Sequence, residues 1–152
     1  MQLESRPQDV DRRRLLTLLG VGSAAVLVGA GPAAALTFQA LQVDMARVRR
    51  EFAAGPQSIP LDRLLPDDAD AAHLEAARES LRFRVRGIAR VLLDRNQSTR
   101  EQLVVAKHAM IKAQTATSEI VDRLLARAMT PAQARADALR AFSEYYEVIR
   151  AC

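Results

Sequence analysis

The chain has 152 residues, with 22 basic and 18 acidic side chains, 4% aromatics, no tryptophan and six glycines. Rich in alanine, leucine and arginine, this is the composition of a helical bundle, long enough for one small domain with its own core. The net charge of +4, which becomes +3 beyond residue 35, is too small for nucleic-acid binding to be the default; no Gly-rich phosphate loop, cysteine pair, His-Glu-x-x-His or nucleophile elbow is present.

Met1 to Val10 is polar, contains Pro7 and reads as an unstructured lead. Arg12, Arg13 and Arg14 then precede Leu15 and Leu16, and the 24 residues from Leu15 to Phe38 carry no charge. Leu15 to Val28 is apolar but diluted by glycine and alanine. Gly29, Gly31 and Pro32 disfavour a continuing helix, and Ala33-Ala34-Ala35 places small residues in an A-x-A pattern. A basic segment, a short apolar segment and a small-residue site make a signal peptide over 1–35, with Ala33 and Ala35 at the cleavage site. The order Arg12-Arg13-x-Leu15-Leu16 resembles the twin-arginine export signal, with Asp11 where Ser or Thr is usual and Arg14 in the x slot. The alternatives are a retained membrane anchor over residues 15–38, since about 20 apolar residues span a bilayer, and a buried core helix. For signal and anchor alike the arginines stay cytoplasmic and the rest is exported, either periplasmic or facing the periplasm from the inner membrane.

Residues 36–66 read as a first helix and a Pro-rich loop. Leu41, Met45, Val48 and Phe52 form one helical stripe within Leu36 to Ala54, with Arg47, Arg49, Arg50 and Glu51 off it; Gly55-Pro56 ends the helix. Gln57 to Pro66 carries two further prolines, yet Ile59, Leu61, Leu64 and Leu65 are apolar enough to pack down on a bundle. Residues 67–152 read as a helical hairpin and a C-terminal helix. Helix two runs from about Asp68 to Asp94, with Leu74, Ala77, Leu81, Val85 or the adjacent Arg84, Ile88 and Leu92 inward. Asn96-Gln97 make a short turn, which forces an antiparallel hairpin. Ser98 to Glu101 reads as a capping box opening helix three, which continues to Ala128 through Leu103, Ala106, Met110, Gln114, Thr117, Val121 and Leu124. Thr130-Pro131-Ala132-Gln133 is a second capping box with Pro at the first helical position. Helix four follows to Arg150, with Ala138, Ala141, Phe142, Tyr145, Val148 and Ile149 inward. The fold class is all-α: an antiparallel helical hairpin within a small bundle of about four helices, plus the N-terminal signal or transmembrane helix.

Few side chains invite chemistry. His73 and His108 are the only histidines, and on an antiparallel hairpin their positions fall roughly 18 Å apart, so one metal does not bridge them and no metal or cofactor site is assigned. Arg78, Arg82, Arg86 and Arg90 recur every four residues along one side of helix two. They either pair with Glu75, Glu79 and acids on neighbouring helices or form a basic surface for an acidic partner or anionic lipid head groups. Tyr145 and Tyr146, beside Phe142, are core or a patch for a partner. Cys152 is the single cysteine; it makes no internal bridge, and a disulfide to a second copy would give a homodimer.

Ala128 to Gln133 resembles the LTPEQ-type motif of small periplasmic helical-hairpin proteins, the family of the Spy/CpxP-type stress chaperones and periplasmic heavy-metal sensors. Thr130, Pro131 and Gln133 match; Met129 replaces Leu and Ala132 replaces Glu. The resemblance implies a hairpin fold from about Asp68 onward and a chaperone-like or stress-adaptor role. The expectation is a non-enzymatic exported binding protein with another protein as its partner. Its alternatives are a small signal-bearing or anchoring accessory subunit of a larger exported oxidoreductase complex, since the twin-arginine route suits folded, cofactor-bearing cargo, and a metal sensor.

Overall fold

The computed structural model describes residues 41–152. The signal and cleavage readings at Arg12, Arg13, Leu15, Leu16, Ala33 and Ala35, and the membrane contact read over 15–38, lie outside those residues. Five α-helices follow in order: α1 (Met45–Ala54), α2 (Leu61–Leu64), α3 (Ala71–Arg95), α4 (Arg100–Leu125) and α5 (Pro131–Ala151), with a 3-10 turn at Pro56–Ser58. Among the described residues there is no strand, and no helix is long and apolar enough to cross a membrane.

Most boundaries are set by side chains that satisfy orphan backbone N–H groups. Asp44 caps α1, accepting from the Arg47 N–H at 2.8 Å. One helix from Leu36 is therefore corrected: residues 42–44 are non-helical and α1 starts afresh at Met45. Asp70 caps α3 by accepting from the His73 N–H at 2.7 Å, which starts that helix later than Asp68. The capping box of α4 is Thr99 with Gln102, not Ser98 with Glu101; the Ser98 hydroxyl instead donates to the Cys152 carbonyl at 3.2 Å. The box at Thr130 and Gln133, with Pro131 at the first position, opens α5 as expected. Asn96 (φ 49°) and Arg127 (φ 55°) adopt the left-handed conformation that ends α3 and turns the chain after α4 short of Ala128.

The stretch 57–66, read as loop, holds a 3-10 turn and the one-turn helix α2, which raises the count from four helices to five. Ile59, Leu61, Leu64 and Leu65 are all buried, so this segment caps the bundle as the apolar content required. α4 lies along both α3 and α5, while α1 packs on α3. The core of Leu81, Val85, Ile88, Val121, Ala134, Ala138, Phe142 and Ile149 is fully buried and runs into Val48, Leu64 and Leu65. Burial of each large apolar side chain contributes about 1.5–3 kcal/mol.

α1 approaches α3 closely at Gly87. A Cβ there would lie 3.0 and 3.1 Å from the two Val48 methyl groups and 3.2 Å from the Met45 sulfur. Glycine in a helix interior costs up to about 1 kcal/mol relative to alanine, and here the contact explains its presence.

Candidate functional site

The four arginines at i, i+4 spacing separate into distinct environments. Arg78 is half-buried and clasps α3 to α4: its guanidinium donates to Asp122 at 2.6 Å, to the Ser118 hydroxyl at 2.7 Å and to Glu75 at 3.1 Å. The hydrogen bond to Asp122, with Glu75 nearby, holds its pKa above the ordinary arginine value. Arg78 is thus a structural clamp, which corrects its reading as part of a partner surface. Arg82 is exposed and paired with Glu79 at 3.6 Å. Arg86 and Arg90 are exposed and have no carboxylate partner among the described residues.

These last two stand in an outward stripe. Phe83, Arg86, Arg90 and Leu93 are spaced by three and four residues, which puts them on one face of α3. Phe83 is 39% exposed and Leu93 60%. α4 shows a second outward stripe of Val104, His108 and Ile111.

Tyr145 and Tyr146 are both buried, so their reading as a partner patch is corrected: they belong to the core. The Tyr145 hydroxyl donates to the Val85 carbonyl at 2.8 Å, and Tyr146 meets Phe52 edge-on with centroids 5.0 Å apart. Burial, the larger cause in each case, pushes both phenols well above their ordinary pKa.

A buried polar group lies between α1 and α3. Glu51, read as off the packed face, is buried, and so is Arg84. They form a two-pronged ion pair, Nε to Oε1 at 2.8 Å and Nη2 to Oε2 at 3.1 Å, and the remaining Arg84 Nη1 donates to the Ser80 hydroxyl. No buried side-chain nitrogen or oxygen among the described residues lacks a partner. The one-dimensional signal was the small-residue face Ala76, Ser80 and Gly87, which marks a close helix contact around Arg84.

A cleft of about 650 Å³ opens beside the C-terminal end of α1, lined by Arg49, Phe52, Pro56, Val91, Arg95 and Arg150 together with Ala53, Ala54, Gly55 and Gln57. Arg95 and Arg150 hold their guanidinium carbons 5.7 and 5.4 Å from the Phe52 ring centroid. Arg49 is bonded to Asp94 at 3.2 Å.

The histidines stay apart in role. The His73 Nε2 lies 3.0 and 3.1 Å from the carbonyls of Arg63 and Leu64, tying α3 to the end of α2; His108 is exposed on α4. Among the described residues no three His, Cys, Asp or Glu side chains come together as a metal set. Cys152 is a free, half-buried thiol. Comparison with protein families, with curated proteins and with solved structures finds no match for the chain.

Proposed function

We propose that this chain is a non-catalytic binding protein whose hairpin presents the outer face of α3 to an acidic protein partner. The observation that carries this reading is the stripe of Phe83, Arg86, Arg90 and Leu93, in which two guanidinium groups without a carboxylate partner among the described residues are flanked by two exposed apolar side chains. Aromatic and arginine side chains of this kind are the ones that dominate protein interfaces. Arg82, partly neutralised by Glu79, extends the same face. The role fits an adaptor or chaperone-like protein acting outside the cytoplasm, where the arginine pair Arg12-Arg13 and the uncharged stretch after it would send it.

Capture on the tagged chain from its native envelope tests this. One acidic protein retained in near-stoichiometric amount by the wild-type chain, and lost on charge reversal of Arg86 and Arg90 to Glu, is the expected result. An unchanged set of captured proteins would remove the basis of the proposal. A second reading, a small accessory subunit of an exported complex, is favoured by the 24 uncharged residues from Leu15 to Phe38. It requires that the captured partner be a larger, cofactor-bearing protein and that the chain's N-terminus be intact in the membrane fraction.

A further inference from the structure

The cleft beside α1 has a chemistry separate from the outer face of α3. Three guanidinium groups line it, and one carboxylate, Asp94, engages one of them, Arg49. The Arg95 side chain makes no hydrogen bond or ion pair to the described residues and lies 5.7 Å from the Phe52 ring centroid. Arg150 gives one N–H to the Phe52 carbonyl at 3.0 Å and stacks within 5.7 Å of the Tyr146 ring as well. Both arginines sit in the last turns of their helices, α3 and α5, where the backbone dipole favours a cation. That explains why arginine is tolerated at these positions. It does not explain why both, with Arg49, line one solvent-open cleft of about 650 Å³. Both guanidinium groups lie within 5.7 Å of the one Phe52 ring centroid, and N–H donors on each remain without a carboxylate among the described residues. The rest of the lining is Ala53, Ala54, Gly55, Pro56 and Val91 with the nearly buried Phe52, and Gln57 adds one polar amide.

We propose that this cleft binds an amphiphilic oxyanion, a single phosphate or carboxylate head held by Arg95 and Arg150, with a short apolar body against Ala53, Pro56 and Val91. The head neutralises two like charges that otherwise repel, and the body covers the apolar wall. This site stands whether or not the outer face of α3 docks a protein, because the two share no residue.

Calorimetric titration of the full chain with hexyl phosphate, hexanoate, inorganic phosphate and hexylamine tests it. Saturable one-to-one binding of hexyl phosphate or hexanoate is expected, and the tighter of the two identifies the head group. Hexylamine should show no saturable binding, and inorganic phosphate should bind at least tenfold more weakly because it leaves the apolar wall uncovered. Arg95→Gln and Arg150→Gln should each weaken the better anion about tenfold or more, the effect of losing a charge-assisted hydrogen bond, while Arg86→Gln leaves it unchanged. Arg150→Gln also removes the bond to the Phe52 carbonyl, so Arg95→Gln, which breaks no hydrogen bond within the fold, is the decisive variant, its fold checked by thermal unfolding. Absence of saturable binding by both organic anions, equal binding of hexylamine or of inorganic phosphate, or affinity untouched by Arg95→Gln would each overturn the proposal.

Discussion

α3 is packed along two seams that answer the same need with opposite chemistry. Toward α4 and α5 it turns Leu81, Val85, Ile88 and Leu92, an apolar surface whose polar additions sit at the rim, as Arg78 does with Asp122. Toward α1 it turns Ser80, Arg84 and Gly87, and the centre of the contact is an ion pair out of water. The difference follows from length. α3, α4 and α5 have 25, 26 and 21 residues and bury area along their whole extent, whereas α1 has 10. A ten-residue helix is marginal in water, and an apolar stripe of Met45, Val48 and Phe52 alone would allow it to slide by a turn. The Glu51–Arg84 pair and the Gly87 notch accept one register. Buried pairs are weak evidence for stability but can fix register; here the geometry is two-pronged and completed by Ser80, and although Arg47 lies 3.8 Å from Glu51 on the same helix, Arg84 has no other carboxylate among the described residues.

Breaking the polar seam should have the largest effect. Glu51→Ala leaves the Arg84 guanidinium buried and unpaired, and urea unfolding should show a loss of about 3–5 kcal/mol. The paired replacement Glu51→Leu with Arg84→Met should recover most of it. If the single and double variants were equally unstable, the seam would depend on the charges themselves and not on their mutual satisfaction.

High pH probes the place where the two seams meet, at the tyrosines. The chain has two tyrosines and both are buried, with pKa values raised by burial. An unfolded phenol ionises near pH 10. Their contribution is therefore fully present below about pH 10 and is lost progressively above it, because the unfolded state gives up its protons first. Stability should fall on the order of 2–3 kcal/mol by pH 11. Phenolate absorbance should stay low in the native protein at pH 10.5 and rise on unfolding in urea at the same pH.

Gly87→Ala sharpens the comparison further. The added methyl gains helix propensity but meets Val48 at 3.0 Å, and overpacking costs about 1–3 kcal/mol. A net loss of about 1 kcal/mol is expected in thermal or urea unfolding, against a gain if the α1 contact were loose. The smallest effect belongs to the apolar-seam hairpin: Thr130→Ala removes a helix cap worth about 1 kcal/mol or less, and the shift should appear in the urea midpoint with an unchanged slope.

Sequence periodicity and capping chemistry revealed the hairpin and the C-terminal helix, because these depend on contacts three and four residues apart. The seam positions of α3 and the box at Thr130 needed nothing more. Where two boxes overlap, Ser98 with Glu101 and Thr99 with Gln102, local pattern could not choose; the choice rests on Ser98 being engaged by the Cys152 carbonyl 54 residues away. Glu51 was unreadable for the same reason, since it looks like an ordinary charged position until its partner 33 residues off is known, whereas Arg84 already stood beside Val85 as a candidate seam position. Arg78 and Arg86 are alike in sequence, and only the presence of Asp122 and Ser118 across the hairpin separates a clamp from a free cation. The prolines of residues 57–66 concealed α2, although Pro66, directly after the C-cap Leu65, agrees with the end of a short helix.

The separation between Glu51 and Arg84 also carries a kinetic meaning. α3, α4 and α5 are sequence neighbours joined by short turns, so their association closes small loops and should be rapid. α1 becomes correctly seated only when a carboxylate and a guanidinium 33 residues apart meet inside an already formed surface. The expected order of assembly then runs against the order of synthesis: the earliest helix of the described region should dock last, onto a scaffold of α3, α4 and α5.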